Sequence, residues 1–299
     1  MRPFGLVLAA LLFVSTAHAE DRRWDLAPLA LPPLPSAPAG GPIWPGPVSP
    51  IFDNGPLASS LGTGVGGADE SILEGITLGM VVLGWGHQLI DQARLADDFV
   101  VPPGQLWRVD RVVVFGYQTG SPLTSTFTAL NFRIWRGRPG LPGSEVVFGD
   151  EVTNRLVSSE WSGVYRVREE LAGQVGDRPI MANVGAAGVL LEPAQYWLDF
   201  QADGTLTTGP WGPPISRLGA TFTGDAMQSN DNGLTWVPIR DFGNDMFQGL
   251  PFILEGEAVQ SLEVPAVSAL GLVVMVIGLA GAGAILSLRR RAGPASPGQ

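Results

Sequence analysis

A single imidazole, His87 in "GWGHQL", is left for chemistry once the amino-terminal twenty residues are set aside, because the chain's other histidine is His18. There is no cysteine, so thiolate nucleophiles, disulfides and cysteine metal sites are excluded. A Ser–His–Asp triad would have to use His87, and no G-x-S-x-G elbow accompanies it. A lone histidine between glycines reads first as a turn or edge residue. Carboxylates are the remaining candidates. Asp97 and Asp98 adjoin a strand start in "LADDFVVP", Asp241 and Asp245 lie in "DFGNDMF", and Asp199 and Asp203 bracket the end of "YWLDF". Oxygen-rich loops of this kind can hold Ca²⁺, which wants six or more oxygen ligands. Turn capping is the simpler role, and on that reading no cofactor is needed. Two acids at the right separation could also serve a glycosidase as acid and base. Trp44, Trp135, Trp161 and Trp211 could stack on sugar rings if exposed, although tryptophan in strands is more commonly core.

The sharpest local motif is "SNDNGLTW", which satisfies Ser-x-Asp-x-Gly-x-Thr-Trp at Ser229, Asp231, Gly233, Thr235 and Trp236. Asp231 can accept backbone N–H groups of a turn, Gly233 can take positive φ, and Trp236 can pack beneath a hairpin. The motif resembles the Asp-box of sialidases and other secreted glycosidases. In those proteins it recurs on propeller blades and is structural. One copy here implies a structural hairpin rather than an active site.

The elements that would carry these residues read as strands. In "LNFRIWR", Leu130, Phe132 and Ile134 alternate with Asn131, Arg133 and Trp135, the period of a half-buried strand. "WRVDRVVVFGY", "GVYRV", "YWLDF" and "PFILEGEA" are further strands. "RGRPGLPGS", "FQADGTL", "TGPWGPP" and "SNDNG" are the turns between them. Short helical pieces are expected only around Ser71 to Leu78 and Arg168 to Val175. The eleven-residue run "ITLGMVVLGWG" is too short and too rich in glycine to cross a bilayer, and fits buried strands. The pattern predicts an all-β fold: an antiparallel β-sandwich, jelly-roll-like, over residues 51–258. No fixed-period repeat is visible.

Both ends carry targeting signals. Residues 1–19 have a positive start at Arg2, a short apolar core and a small-residue cleavage site at Ala17-His18-Ala19, the layout of a secretory signal peptide. Residues 20–50 form a Pro/Gly-rich linker, and 259–264 a spacer. Within 265–291, Ala266 to Leu288 is uncharged and long enough to span a membrane as one helix. Arg289, Arg290 and Arg291 then place the 292–299 tail on the cytoplasmic side. Four of the 18 basic residues, all arginine, lie in these ends, which leaves 14 against 28 acidic side chains from Glu20 to Glu263. That surface disfavours nucleic acid and anionic lipid as partners of the exported part.

"VPAVSALG", followed by an apolar helix and an arginine cluster, resembles the IPTL-CTERM sorting tail, a relative of the PEP-CTERM signals of Gram-negative bacteria. The match is at Val264, Pro265, Ser268 and Gly271, while Ala266, Ala269 and Leu270 depart from the pattern. The resemblance implies a membrane-embedded, exosortase-type processing enzyme as partner. It also implies a protein held in the inner membrane with a periplasmic ectodomain, or released to the cell surface or medium. "LADDFVVPPGQLWRVDRVVVFGYQTG" and "NFRIWRGRPGLPGSEVVFGD" resemble exported domains that accompany such tails, which implies fold and export and adds no catalytic residues. The expected function is a non-enzymatic adhesion, matrix or ligand-binding module, with extracellular polysaccharide a candidate partner. The alternative is a secreted glycan hydrolase using paired carboxylates.

Overall fold

The computed structural model describes residues 23–26 and 43–260. These contain fifteen strands: β1 (Trp24–Leu26), β2 (Pro50–Asp53), β3 (Asp69–Leu73), β4 (Val82–Gly86), β5 (Arg94–Val101), β6 (Gln105–Gly116), β7 (Phe127–Arg136), β8 (Glu145–Gly149), β9 (Leu156–Arg168), β10 (Pro179–Leu191), β11 (Ala194–Gly204), β12 (Trp211–Gly212), β13 (Met227–Ser229), β14 (Val237–Pro238) and β15 (Phe252–Gln260). The fold is all-β. One six-stranded sheet has the order β2-β15-β6-β10-β9-β3, a second β14-β13-β5-β11-β7-β8, and a small third β1-β4-β12. Pairing is antiparallel except between β3 and β9, which run parallel.

The two large sheets share one core. Leu130, Phe132 and Ile134 of β7 are fully buried and cluster with Val112 and Val114 of β6 and with Met181 of β10. Contact is close: a Cβ on Gly185 of β10 would lie 2.8 Å from the Phe132 ring and 2.9 Å from Leu130. At one end Phe99 lies between Trp107 and Tyr196, at ring distances of 6.2 and 5.6 Å, with Phe52 at 5.9 Å and Phe252 at 6.2 Å. Each such ring, fully buried, contributes about 1.5–3 kcal/mol.

Why "RVVVFGY" carries no polar alternation is now clear. Val112 and Val114 face the shared core, whereas Val113, Phe115 and Tyr117 join a second cluster with Leu83, Ile180, Trp211 and Ile253. The small sheet supplies that second cover, so the second half of β6, from Val112, is apolar on both faces, while Arg108, Asp110 and Arg111 of its first half stay exposed. β4 is "VLGWG", all five residues buried, and accounts for the second half of the run "ITLGMVVLGWG".

The first expected helical piece is corrected, and the second is reduced to a single 3₁₀ turn. Ser71 lies in β3, an edge strand hydrogen-bonded beside β9, where its hydroxyl accepts from Arg166 at 3.1 Å. Pairing with β9 and the burial of Glu70, Ser71 and Leu73 override the weak local helical pattern there. Around Arg168, β9 ends in one 3₁₀ turn, Glu169–Leu171. Glu169 spends its carboxylate on the Ile76 and Thr77 N–H groups, at 2.8 and 2.9 Å, and Gly173 turns left-handed at φ 74°. Part of the expected linker is also ordered. Within residues 20–50, Trp24–Leu26 pairs with β4, and Trp44 N–H donates to the Trp161 carbonyl at 2.7 Å.

Candidate functional site

The acidic residues of β5 sit beneath a concavity of about 360 Å³. Asp53, Asn54, Asp97, Asp98, Arg217 and Asp225 are among its lining residues. Three chain segments build it. β5 carries Asp97 and Asp98 between β11 and β13. The turn after β2 folds because Gly55, at φ 117°, lets its N–H reach back to Asp53 Oδ1 at 3.0 Å. That turn aims Asn54 inward, where Nδ2 donates to Asp97 Oδ2 at 2.8 Å and to the Leu250 carbonyl at 2.9 Å. The loop before β13 brings Asp225, and one ligand oxygen from each of Asp97, Asp98 and Asp225 lies within 4.8 Å of the others.

Charge in this trio is poorly offset. Asp97 is 2% exposed. Its Oδ2 accepts from the Leu250 N–H at 2.7 Å as well as from Asn54, and its Oδ1 accepts from the Asp98 N–H at 2.9 Å. Burial nevertheless pushes its pKa up to about 7, against those hydrogen bonds. Burial also raises the Asp98 carboxyl; the Gln195 amide at 2.6 Å works the other way, and nearby Asp225 adds to the rise. A cation set among these oxygens would supply the missing countercharge. Asp225 and Asn54 carried no local sequence signal: Asp225 is a loop carboxylate far along the chain from β5, and "FDNG" announces only a turn.

The other acids are committed elsewhere. Asp241 is fully buried and accepts the Val81, Val82 and Gly243 N–H groups at 3.0, 2.8 and 2.8 Å. Asp245, left-handed at φ 61°, forms an exposed ion pair with Arg240 at 2.8 Å. Asp203 accepts the N–H of Gly204 at 2.8 Å. Asp199 lies fully buried with Arg94, and its Oδ2 also accepts from Arg133 Nε at 2.7 Å and Trp135 Nε1 at 2.9 Å. None of these faces the concavity.

His87 is sealed in the core, edge-on to Phe200 at 5.5 Å, with no hydrogen-bond partner on either ring nitrogen. Burial drives its pKa down to about 4, so it stays neutral at physiological pH. Of the four tryptophans considered for sugar stacking, Trp161 and Trp211 are buried. Trp44 packs edge-on against Phe115, and Trp135 lies under the Arg133 guanidinium at 5.0 Å.

The motif at Ser229 forms a tight hairpin between β13 and β14. Asp231 Oδ1 accepts from Ser229 Oγ at 2.7 Å and from the Thr235 N–H at 2.8 Å, while Oδ2 accepts from Thr235 Oγ1 at 2.6 Å. Gly233, at φ 88°, donates its N–H to Ser229 Oγ at 2.8 Å. Trp236 Nε1 donates to the Gly233 carbonyl, and its ring packs with Trp135 onto Ala96, Trp197 and Met227. The hairpin therefore roofs the outer face of the second sheet, and its Asp231 is consumed internally. Ala17, Ala19, Val264, Pro265, Ser268, Gly271 and Arg289 to Arg291 lie outside the described residues, as does the apolar segment 266–288.

Among the described residues no helix is long and apolar enough to cross a membrane. Comparison with known proteins finds no matching family model, no matching curated relative and no matching solved structure.

Proposed function

We propose that this chain is an exported, membrane-tethered binding module: a jelly-roll-like β-sandwich that holds Ca²⁺ in its acidic concavity and engages polysaccharide or matrix outside the cell. The observation that carries the reading is the convergence of Asp97, Asp98 and Asp225 from two distant segments on one open hollow, where burial raises the Asp97 and Asp98 carboxyls. Ca²⁺ suits such a set because it takes several carboxylate and carbonyl oxygens in flexible geometry. The hydrolase alternative is less well supported. A general acid must turn its proton toward substrate, and Asp97 is closed in, with both oxygens engaged by N–H donors. The burial of His87 likewise removes the one described histidine from any triad chemistry.

The test is thermal unfolding of chelator-treated protein with Ca²⁺ restored. Saturation at 100 times the dissociation constant stabilises by about 2.7 kcal/mol, so Tm should rise by roughly 5–10 °C. The rise should vanish in Asp225→Asn. An unchanged Tm removes Ca²⁺ from the reading. Turnover of a polysaccharide, lost in Asp98→Asn, would instead establish the hydrolase.

The tether rests on the signal-like start and on the tail "VPAVSALG" with its apolar segment and arginines, and a processing enzyme of exosortase type would be its partner. Ending the chain after Gln260 is expected to shift the protein from the membrane fraction to the soluble periplasm or medium. Retention in the membrane would refute the anchor.

A further inference from the structure

The first strand is a small plug in a demanding socket. β1 is three residues long and has a single strand neighbour, β4, in the register Trp24↔Trp85, Asp25↔Gly84, Leu26↔Val82. Residues 23–25 make its specific contacts. The Arg23 carbonyl accepts from the Gly86 N–H at 2.8 Å and from Gln228 Nε2 at 2.6 Å. The Trp24 ring meets Phe242 edge-on at 4.7 Å and packs against the shared core. Asp25 Oδ2 accepts from the Tyr117 hydroxyl at 2.9 Å and from Arg178 Nε at 3.3 Å.

Emptying this socket is costly. Tyr117 is fully buried and Arg178 nearly so, and both would lose the Asp25 carboxylate. β4, whose five residues are all buried, would present a bare apolar edge, the kind of edge that recruits another strand. The plug is joined to the rest of the domain through residues 27–42. Sixteen residues reach at most about 55 Å, whereas a domain of this size has a radius of gyration of only about 17 Å. A β1 that leaves its own socket can therefore enter that of a neighbouring molecule. There it makes the same hydrogen bonds and the same ion pair, so cis and trans filling differ mainly by effective concentration.

We infer that the groove beside β4 is an exchangeable strand socket, and that copies of this chain join by lending β1 to one another. The partner is a second copy of the same chain, recognised by an extended Arg-Trp-Asp segment whose carboxylate meets Tyr117 and Arg178. The inference is independent of what the acidic concavity holds.

The chain has no cysteine of its own, so engineered pairs report cleanly. Leu26→Cys and Val82→Cys place one thiol on each strand at register partners, beside the bulge that follows Asp25. Full-length protein carrying both changes should lock within one chain at any dilution. Differently tagged single variants, mixed and held below the unfolding midpoint in urea, should form a mixed-tag disulfide dimer. Its yield should fall about tenfold on tenfold dilution, and also at least about tenfold when the Leu26→Cys chain carries Asp25→Ala. A double variant that locks while mixed singles never join across tags overturns exchange. A double variant that fails to lock overturns the socket itself.

Discussion

Replacing Asp199 with alanine is expected to lower stability by about 3–5 kcal/mol, because it strands Arg94 in the core without its carboxylate. Arg94 and Asp199 are each fully shielded from solvent. The Arg94 Nη1 is held by neutral oxygens, Asn131 at 2.9 Å and Gln201 at 3.0 Å, while Nη2 has no hydrogen-bond partner. Burial pulls the Arg94 pKa down, and Asp199 is the first influence restoring it. Arg133 and Trp135 would lose the same acceptor, so the outer face of β7 and the Asn232 turn above it would loosen together. Asp199→Asn keeps the shape and one acceptor oxygen and should cost less. Replacing both members with apolar side chains of similar volume, Arg94→Met with Asp199→Leu, should recover much of the loss. Urea unfolding of the four proteins measures this. A loss below about 1 kcal/mol for the alanine variant would show that the pair is not under strong mutual obligation.

Stability should also carry an unusual pH signature. Asp97 titrates near 7 in the folded state and near its ordinary value of 3.8 when unfolded. The native state therefore binds the extra proton between those values, and stability falls as pH rises through them. The span of about three units corresponds to roughly 4 kcal/mol. His87 works in the opposite sense. Its folded pKa is about 4 against 6.5 unfolded, so the unfolded chain takes up the proton first and stability is lost as pH falls from 6.5 toward 4, by roughly 3 kcal/mol. Between about 4 and 6.5 the two slopes nearly cancel, and above 6.5 only the Asp97 loss remains. Asp97→Asn should therefore gain on the parent by about 3 kcal/mol between pH 4.5 and pH 8 in chelator, whatever constant offset its lost acceptor oxygen introduces. An offset that does not change with pH would show that Asp97 is not the group responsible.

Much of the fold was legible because buried apolar residues announce themselves by period. "LNFRIWR" lies within β7, and Leu130, Phe132 and Ile134 face the core as its alternation requires. The opposite face was not legible in the same way. Asn131 is buried and Arg133 and Trp135 are largely covered, since Asp199 lies directly across the pair and the Ser229–Trp236 hairpin roofs them. A polar residue reads alike whether it meets water or a buried carboxylate, so the pattern could not distinguish the two. The hollow was half legible. "LADDFVVP" drew attention to Asp97 and Asp98, although the strand begins three residues before Asp97, at Arg94. Asp225 and Asn54 join them through long-range register, which no local window contains. The helix expected from Ser71 failed for a related reason: Ser71 answers to β9 and to Arg166, partners set by the sheet and not by its sequence neighbours.

The two ends of the described domain differ in mechanical terms. β15, from which the chain continues toward its carboxyl terminus, is an interior strand flanked by β2 and β6, whereas β1 hangs on β4 alone. A pull arriving through the carboxyl end must break ladders on both sides of β15 before the body yields. The same pull at the amino end needs to strip only three residues. Under tension applied between its two ends, such a molecule would yield first at β1 while β15 holds.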